Sequence, residues 1–117
     1  AVVADSGFRG FRSVVAFRAH VPEAVTSLLP VIYPLVSGGG HAIELSRELG
    51  GRPFGAPALI IQGTGDRTIP ASDGPRLARL TGGRLWLLPG VAHTKAFDTD
   101  RPAYVARVDD FIRSVVR

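Results

Sequence analysis

The chain contains no cysteine and no methionine. Without cysteine, disulfides, thiolate zinc centres and cysteine nucleophiles are excluded. The absence of methionine, with an apolar run already under way at Ala1, reads as part of a longer polypeptide. Lysine is nearly absent: Lys95 stands alone among 14 basic residues, and the rest are arginine. The apolar runs are too short to span a bilayer, and no signal-peptide pattern opens the chain, so no membrane segment is expected. Clustered charge is lacking as well. The net charge of +4 is spread from Arg9 to Arg117 with no basic run and no aromatic interleaving. Nucleic-acid binding needs clustered charge, so no nucleic-acid partner is expected.

What is present is ordinary globular material. At 117 residues, 45% apolar and 21% charged, the chain suits one domain with a modest core. Ala1–Ala4 is strand-like, and Asp5-Ser6-Gly7 is a turn. Phe8 to His20 has helical apolar spacing, and Pro22 permits a further helix start. Pro30 and Pro34 are expected to break regularity between Val31 and Val36, and Ser37 to Gly40 reads as a loop. His41 to Leu49 reads as a short helix stopped by Gly50-Gly51. Ala58–Gln62 carries a continuous apolar run, as expected for a parallel strand covered on both faces. Ser72 or Asp73 can cap a helix through Leu80, and Arg84 to Leu88 is the next strand. Asp100 caps a last helix, in which Tyr104, Val105, Val108, Phe111, Ile112, Val115 and Val116 form one apolar stripe. Strands alternating with helices argue for parallel βαβ units.

Two ionisable residues stand out. Asp66 follows the run Ala58-Leu-Ile-Ile-Gln-Gly-Thr-Gly-Asp66, and His93 follows Arg84-Leu-Trp-Leu-Leu-Pro-Gly-Val-Ala-His93. Each closes a buried strand through a glycine-bearing turn. Reactive groups of open α/β sheets sit just past the carboxyl ends of the strands. Either residue alone reads as a turn aspartate or a loop histidine. An acid and then a histidine on successive strands form the second half of a Ser…Asp…His order.

Ala56-Pro-Ala-Leu-Ile-Ile-Gln-Gly-Thr-Gly-Asp-Arg-Thr-Ile-Pro70 resembles the acid-bearing strand and turn of the α/β-hydrolase family, and Leu88-Pro-Gly-Val-Ala-His93 resembles its histidine loop. Ala1-Val-Val-Ala-Asp-Ser-Gly-Phe8 is similar to the strand after the nucleophile helix in the serine-aminopeptidase and dipeptidyl-peptidase-like branch. The resemblance covers residues 54–117 and, less closely, 1–18. It implies that Asp66 is a triad acid and His93 a triad base. Gln62 departs from the pattern, standing where the family commonly has histidine before the glycine.

The nucleophile is the gap. The family carries it in Gly-x-Ser-x-Gly, where small residues permit a strained elbow. No serine of this chain has that setting. Ser6 comes nearest: it follows a strand, precedes a helix and keeps the family order, although Phe8 would crowd the elbow. As a nucleophile Ser6 would also need an extra strand between it and Asp66, for which only Val31–Val36 is available. Asp5 sits at a strand end where some relatives place their acid, but reads better as a turn residue.

The expected fold class is therefore α/β: a partial hydrolase fold of about three parallel strands, with flanking helices and a helical lid-like insert. Residues 1–117 form the C-terminal part of the domain, with 20–52 as the insert and 54–117 as the acid and histidine strands with the C-terminal helix. Leu28, Leu29, Val31, Ile32, Tyr33 and Leu35 of the insert make either an apolar wall for an acyl or aromatic group or plain core. The resemblance implies hydrolysis of an ester, amide or peptide substrate. The competing reading is a non-catalytic hydrolase fragment serving as a binding or interaction module. His20 and His41 lack metal-like spacing, so no metal is expected, and no cofactor is called for. The expected partners are the missing N-terminal half of the fold or a second copy paired along the first strand, which carries neither charge nor proline.

Overall fold

Every residue of Ala58–Gly63, the strand β2, is buried, and this strand organises the molecule. The computed structural model describes residues 1–39 and 44–116. Strand β1 is Val2–Asp5 and strand β3 is Arg84–Leu88. The sheet order is β1-β2-β3, all parallel, with Val3 opposite Leu59 and Leu59 opposite Arg84. The helices are α1 (Phe11–Ala19), α2 (Leu29–Val36), α3 (Leu45–Leu49), α4 (Asp73–Thr81), α5 (Ala96–Thr99) and α6 (Arg101–Val115). A 3₁₀ turn, Glu23–Leu28, leads into α2.

Successive side chains of a strand face opposite sides of the sheet. Leu59 and Ile61 pack with Ala96 and Phe111, against Tyr104 and Val108 of α6. Ala58 and Ile60 pack on the other face with Leu77 of α4, against Leu45 and Phe54. Both faces of β2 are covered, which is why its sequence shows no polar alternation.

The α1 N-terminus is held by distant residues. Gly10 stands at its N-cap with no side chain to offer. Glu44 Oε1 accepts the Arg12 N–H at 2.9 Å, and Asp73 Oδ2 accepts the Arg9 N–H at 2.9 Å and the Ser13 hydroxyl at 2.6 Å. A Cβ on residue 10 would strike the Glu44 carboxylate and displace it from the Arg12 N–H. Arg9 in turn donates to both oxygens of Glu23, at 2.7 and 2.6 Å, which holds the Glu23 carboxyl below its usual range.

Several sequence expectations need correction. Residues 29–36 are helical despite Pro30 and Pro34. Pro30 lies in the first turn, where the missing N–H is one of those already without a partner, and Pro34 forfeits only the bond to the Pro30 carbonyl. Among the described residues no strand forms between β1 and β2, which pair directly. The first helix begins at Phe11, not Phe8. Ser72 makes no capping bond to α4, and Asp73 is turned inward to α1. The short α5 was not foreseen. Helix α3 begins at Leu45, and His41 and the rest of 40–43 lie outside the described residues. Asp100 does cap α6, accepting the Ala103 N–H at 3.0 Å. The α6 stripe is buried only in part: Phe111 is 3% exposed, whereas Val105 is 53% exposed.

Candidate active site

Strands β2 and β3 end at the same edge, with Gly63 opposite Leu88. Past that edge their two loops cross in close contact. The Thr64 N–H donates to the Leu88 carbonyl at 2.9 Å and the Gly65 N–H to the Val91 carbonyl at 3.1 Å. The Gly90 N–H donates to the Thr64 hydroxyl at 2.8 Å. A Cβ on residue 63 would collide with the Val91 carbonyl, and one on residue 65 with the Gly90 carbonyl. Gly63 and Gly65 are thus required by backbone-to-backbone contact, and Gly90 by its positive φ of 70.

This crossing brings Asp66 and His93 together. His93 Nδ1 lies 2.7 Å from Asp66 Oδ2. The Asp66 side chain is fully buried, and that of His93 is about one-third exposed, at 35%. Asp66 Oδ1 accepts the backbone N–H groups of Thr68 at 2.7 Å and Ile69 at 2.8 Å. Burial pushes the Asp66 carboxyl up, but the bonds from Ile69, His93 and Thr68 outweigh it and hold the acid below its ordinary range. An ionised carboxylate only accepts, so Nδ1 of His93 carries the proton and donates it to Oδ2. In the neutral imidazole that leaves Nε2 with its lone pair, the state a general base requires.

Gln62 is the residue whose part the sequence reading missed. It is fully buried. Its amide Nε2 donates to Asp66 Oδ2 at 3.3 Å, the same oxygen that accepts from His93, and to the Gly63 carbonyl at 3.3 Å. Its Oε1 is buried with no partner. Exchanging the amide's oxygen and nitrogen would aim Oε1 at two acceptors, so the electrostatics enforce this orientation. The available signal was an amide inside an otherwise apolar buried strand, since a buried polar group needs a reason to be there.

Ser6 lies at the end of β1 with φ 55, and is buried. Its hydroxyl donates to Asp5 Oδ1 at 3.0 Å and accepts the Thr94 N–H at 3.0 Å. Thr94 also has φ 55, so two left-handed non-glycine residues meet beside His93. Residues held there cost about 1–3 kcal/mol each and persist only where the surroundings impose them. Burial, and then the nearby Asp5 charge, raise the Tyr104 phenol above its ordinary range. The hydroxyl of Ser6 is thus engaged with the histidine loop rather than with the His93 ring. His20 sits apart, at the C-cap of α1. Among the described residues, no three His, Asp or Glu side chains gather as a metal site, and no helix is long and apolar enough to cross a membrane.

No family model matches the chain. A ligase from Phocaeicola vulgatus, UDP-N-acetylmuramoyl-L-alanyl-D-glutamate–2,6-diaminopimelate ligase, is 33% identical over 73 residues, which are 58% of this chain and 14% of the ligase. Two structures of the Pyrococcus furiosus esterase Pf2001 superpose at a TM-score of 0.63 with 17% and 18% identity. They cover 96% and 98% of this chain, which spans 43% and 44% of theirs. At that identity the likeness speaks for architecture alone. The chain has a partial α/β fold, three parallel strands with flanking helices, that superposes on part of that esterase's fold.

Proposed function

We propose that this chain supplies the acid and base of a serine hydrolase acting on ester, amide or peptide bonds. Asp66 is the acid, His93 the base, and the nucleophilic serine comes from polypeptide outside these 117 residues. The observation that carries this reading is the 2.7 Å contact between His93 Nδ1 and a fully buried Asp66, at the carboxyl ends of adjacent parallel strands. His93 Nε2 takes the serine hydroxyl proton as the serine oxygen attacks the carbonyl carbon, then gives it to the leaving group. Water repeats the two steps on the acyl-enzyme and regenerates the serine. Asp66 holds the imidazole tautomer and stabilises the imidazolium.

Ser6 is a poor nucleophile in this arrangement, because its hydroxyl is already donated to Asp5 and held by Thr94. Residues 20–52 act as a lid-like insert. Its Leu28 and Leu35 are 62% and 80% exposed, which supports an apolar wall over plain core. The aminopeptidase and dipeptidyl-peptidase-like branch is favoured by the sequence of residues 1–8. The competing reading, a non-catalytic interaction module, is favoured by one observation: no Gly-x-Ser-x-Gly occurs in the chain.

The test begins with the coding sequence upstream of Ala1. An in-frame Gly-x-Ser-x-Gly is expected there, and in the protein carrying it His93→Ala and Asp66→Asn should each lower kcat by about 10³–10⁴. The 117-residue chain alone should not hydrolyse nitrophenyl acetate above buffer. A stop codon in place of that motif, or turnover indifferent to His93→Ala, would defeat the proposal. Turnover by the chain alone that is lost in Ser6→Ala would make Ser6 the nucleophile.

A further inference from the structure

Most arginines of this chain are engaged. Arg9, Arg76 and Arg113 are ion-paired, and Arg84, Arg101 and Arg107 lie over aromatic rings. Arg18 and Arg67 have neither kind of partner among the described residues. They face a common cleft of about 570 Å³, lined with them by Phe17 and His20. Among the described residues no carboxylate lines it.

The walls of this cleft are fixed by local backbone structure. The α1 helix ends at Ala19, and His20 adopts φ 55, so the chain turns sharply off the helix there. The helix-end carbonyls of Phe17 and Ala16 are taken by the N–H groups of His20 and Val21, at 3.3 and 3.0 Å. Those carbonyls therefore present less of the negative helix end to the cleft. Arg67, which also lines the cleft, follows Asp66 in a turn whose Thr68 and Ile69 N–H groups bind Asp66 Oδ1. Asp66 itself is satisfied by these two donors, His93 and Gln62, and is fully buried. It offers Arg67 no ion pair.

Two permanently charged guanidinium forks and an imidazole with no counter-ion form a site for an oxyanion, because the fork matches carboxylate and phosphate geometry. The Phe17 ring adds an apolar wall beside them. The position is informative. Arg67 is the residue after Asp66, so its Cα lies about 3.8 Å from that of the candidate acid. We infer that this cleft binds an anionic group, a carboxylate or a phosphate, carried on the substrate whose bond His93 would act upon. The inference rests on the hydrolase reading for the word substrate, but the anion site itself does not.

The test uses the full chain with inorganic phosphate and, separately, succinate at low ionic strength, followed by NMR. Saturable shifts are expected at the arginine side-chain Nε–H signals of Arg18 and Arg67 and at the backbone N–H groups of residues 17–20. The double substitution Arg18→Gln with Arg67→Gln should weaken binding at least about tenfold, as expected for loss of two charge-assisted contacts. Both side chains are exposed, so the melting temperature should be unchanged. Tighter phosphate binding assigns a phosphate-bearing substrate, and tighter succinate binding a carboxylate-bearing one. His93→Ala should retain the anion site, so failure of the hydrolase reading leaves this result intact. Equal shifts at Arg76 and Arg79, or affinity unchanged in the double variant, would overturn the inference.

Discussion

Replacing Gln62 by leucine separates what this residue does for the acid from what it does for packing. Its Nε2 contact with Asp66 Oδ2, at 3.3 Å, is long for an N–H···O bond. A bond to a charged acceptor contributes about 1.5–3 kcal/mol, and the length argues for the lower end. The partnerless Oε1 costs about 1–3 kcal/mol. Gln62→Leu removes both, together with the 3.3 Å bond to the Gly63 carbonyl, so at pH 7 the variant should lie within about 1.5 kcal/mol of the parent. The pH dependence carries the diagnosis. Asp66 titrates below its ordinary value in the folded chain. It therefore contributes stability that is present above the unfolded pKa, about 3.9, and is lost as pH falls through the folded value. Losing the amide donor should raise the folded value toward the ordinary one. The gain in stability between pH 2 and pH 7 should therefore be smaller in the variant than in the parent. Urea denaturation at both pH values and a ¹³C NMR titration of the Asp66 carboxyl measure this. A loss above about 3 kcal/mol at both pH values, or an unmoved Asp66 titration, would show that Gln62 only fills space.

Gly63→Ala should destabilise the chain by about 1–3 kcal/mol or more, because its Cβ meets the Val91 carbonyl, and the melting temperature reports it. Ser6→Ala removes the acceptor of the Thr94 N–H. It should cost about 0.5–1.5 kcal/mol and speed hydrogen exchange at Thr94, with other core amides little changed. Strand β1 is an edge of the sheet with Val2 exposed, and it carries no lysine or proline to discourage pairing. The chain should dimerise with rising concentration in sedimentation, and a single monomeric species across the whole range would refute edge pairing.

The alternation of strands and helices, the turn glycines, Asp66, His93 and the α6 cap were all legible in the sequence. Each is a local signal: a period of apolar residues, a glycine where two backbones meet, a carboxylate three residues before the N–H it caps. What the sequence could not determine depends on where the chain returns in space. Pro30 and Pro34 read as breakers, yet α2 forms because one proline lies in its first turn and the other near its end. Glu44 and Asp73 cap α1 from 32 and 60 or more residues away, and no local pattern announces such partners. Direct pairing of β1 with β2 placed Ser6 against Thr94, 88 residues on, so its hydroxyl anchors the histidine loop. Gln62 was visible as a departure from a family pattern and as an amide within an apolar strand. Its part emerged once the turn after β2 folded Asp66 back over the strand, within reach of the amide. The residue types that can do chemistry are written locally, but the hydrogen bonds that orient them form between segments far apart in the chain, and only packing brings those segments together.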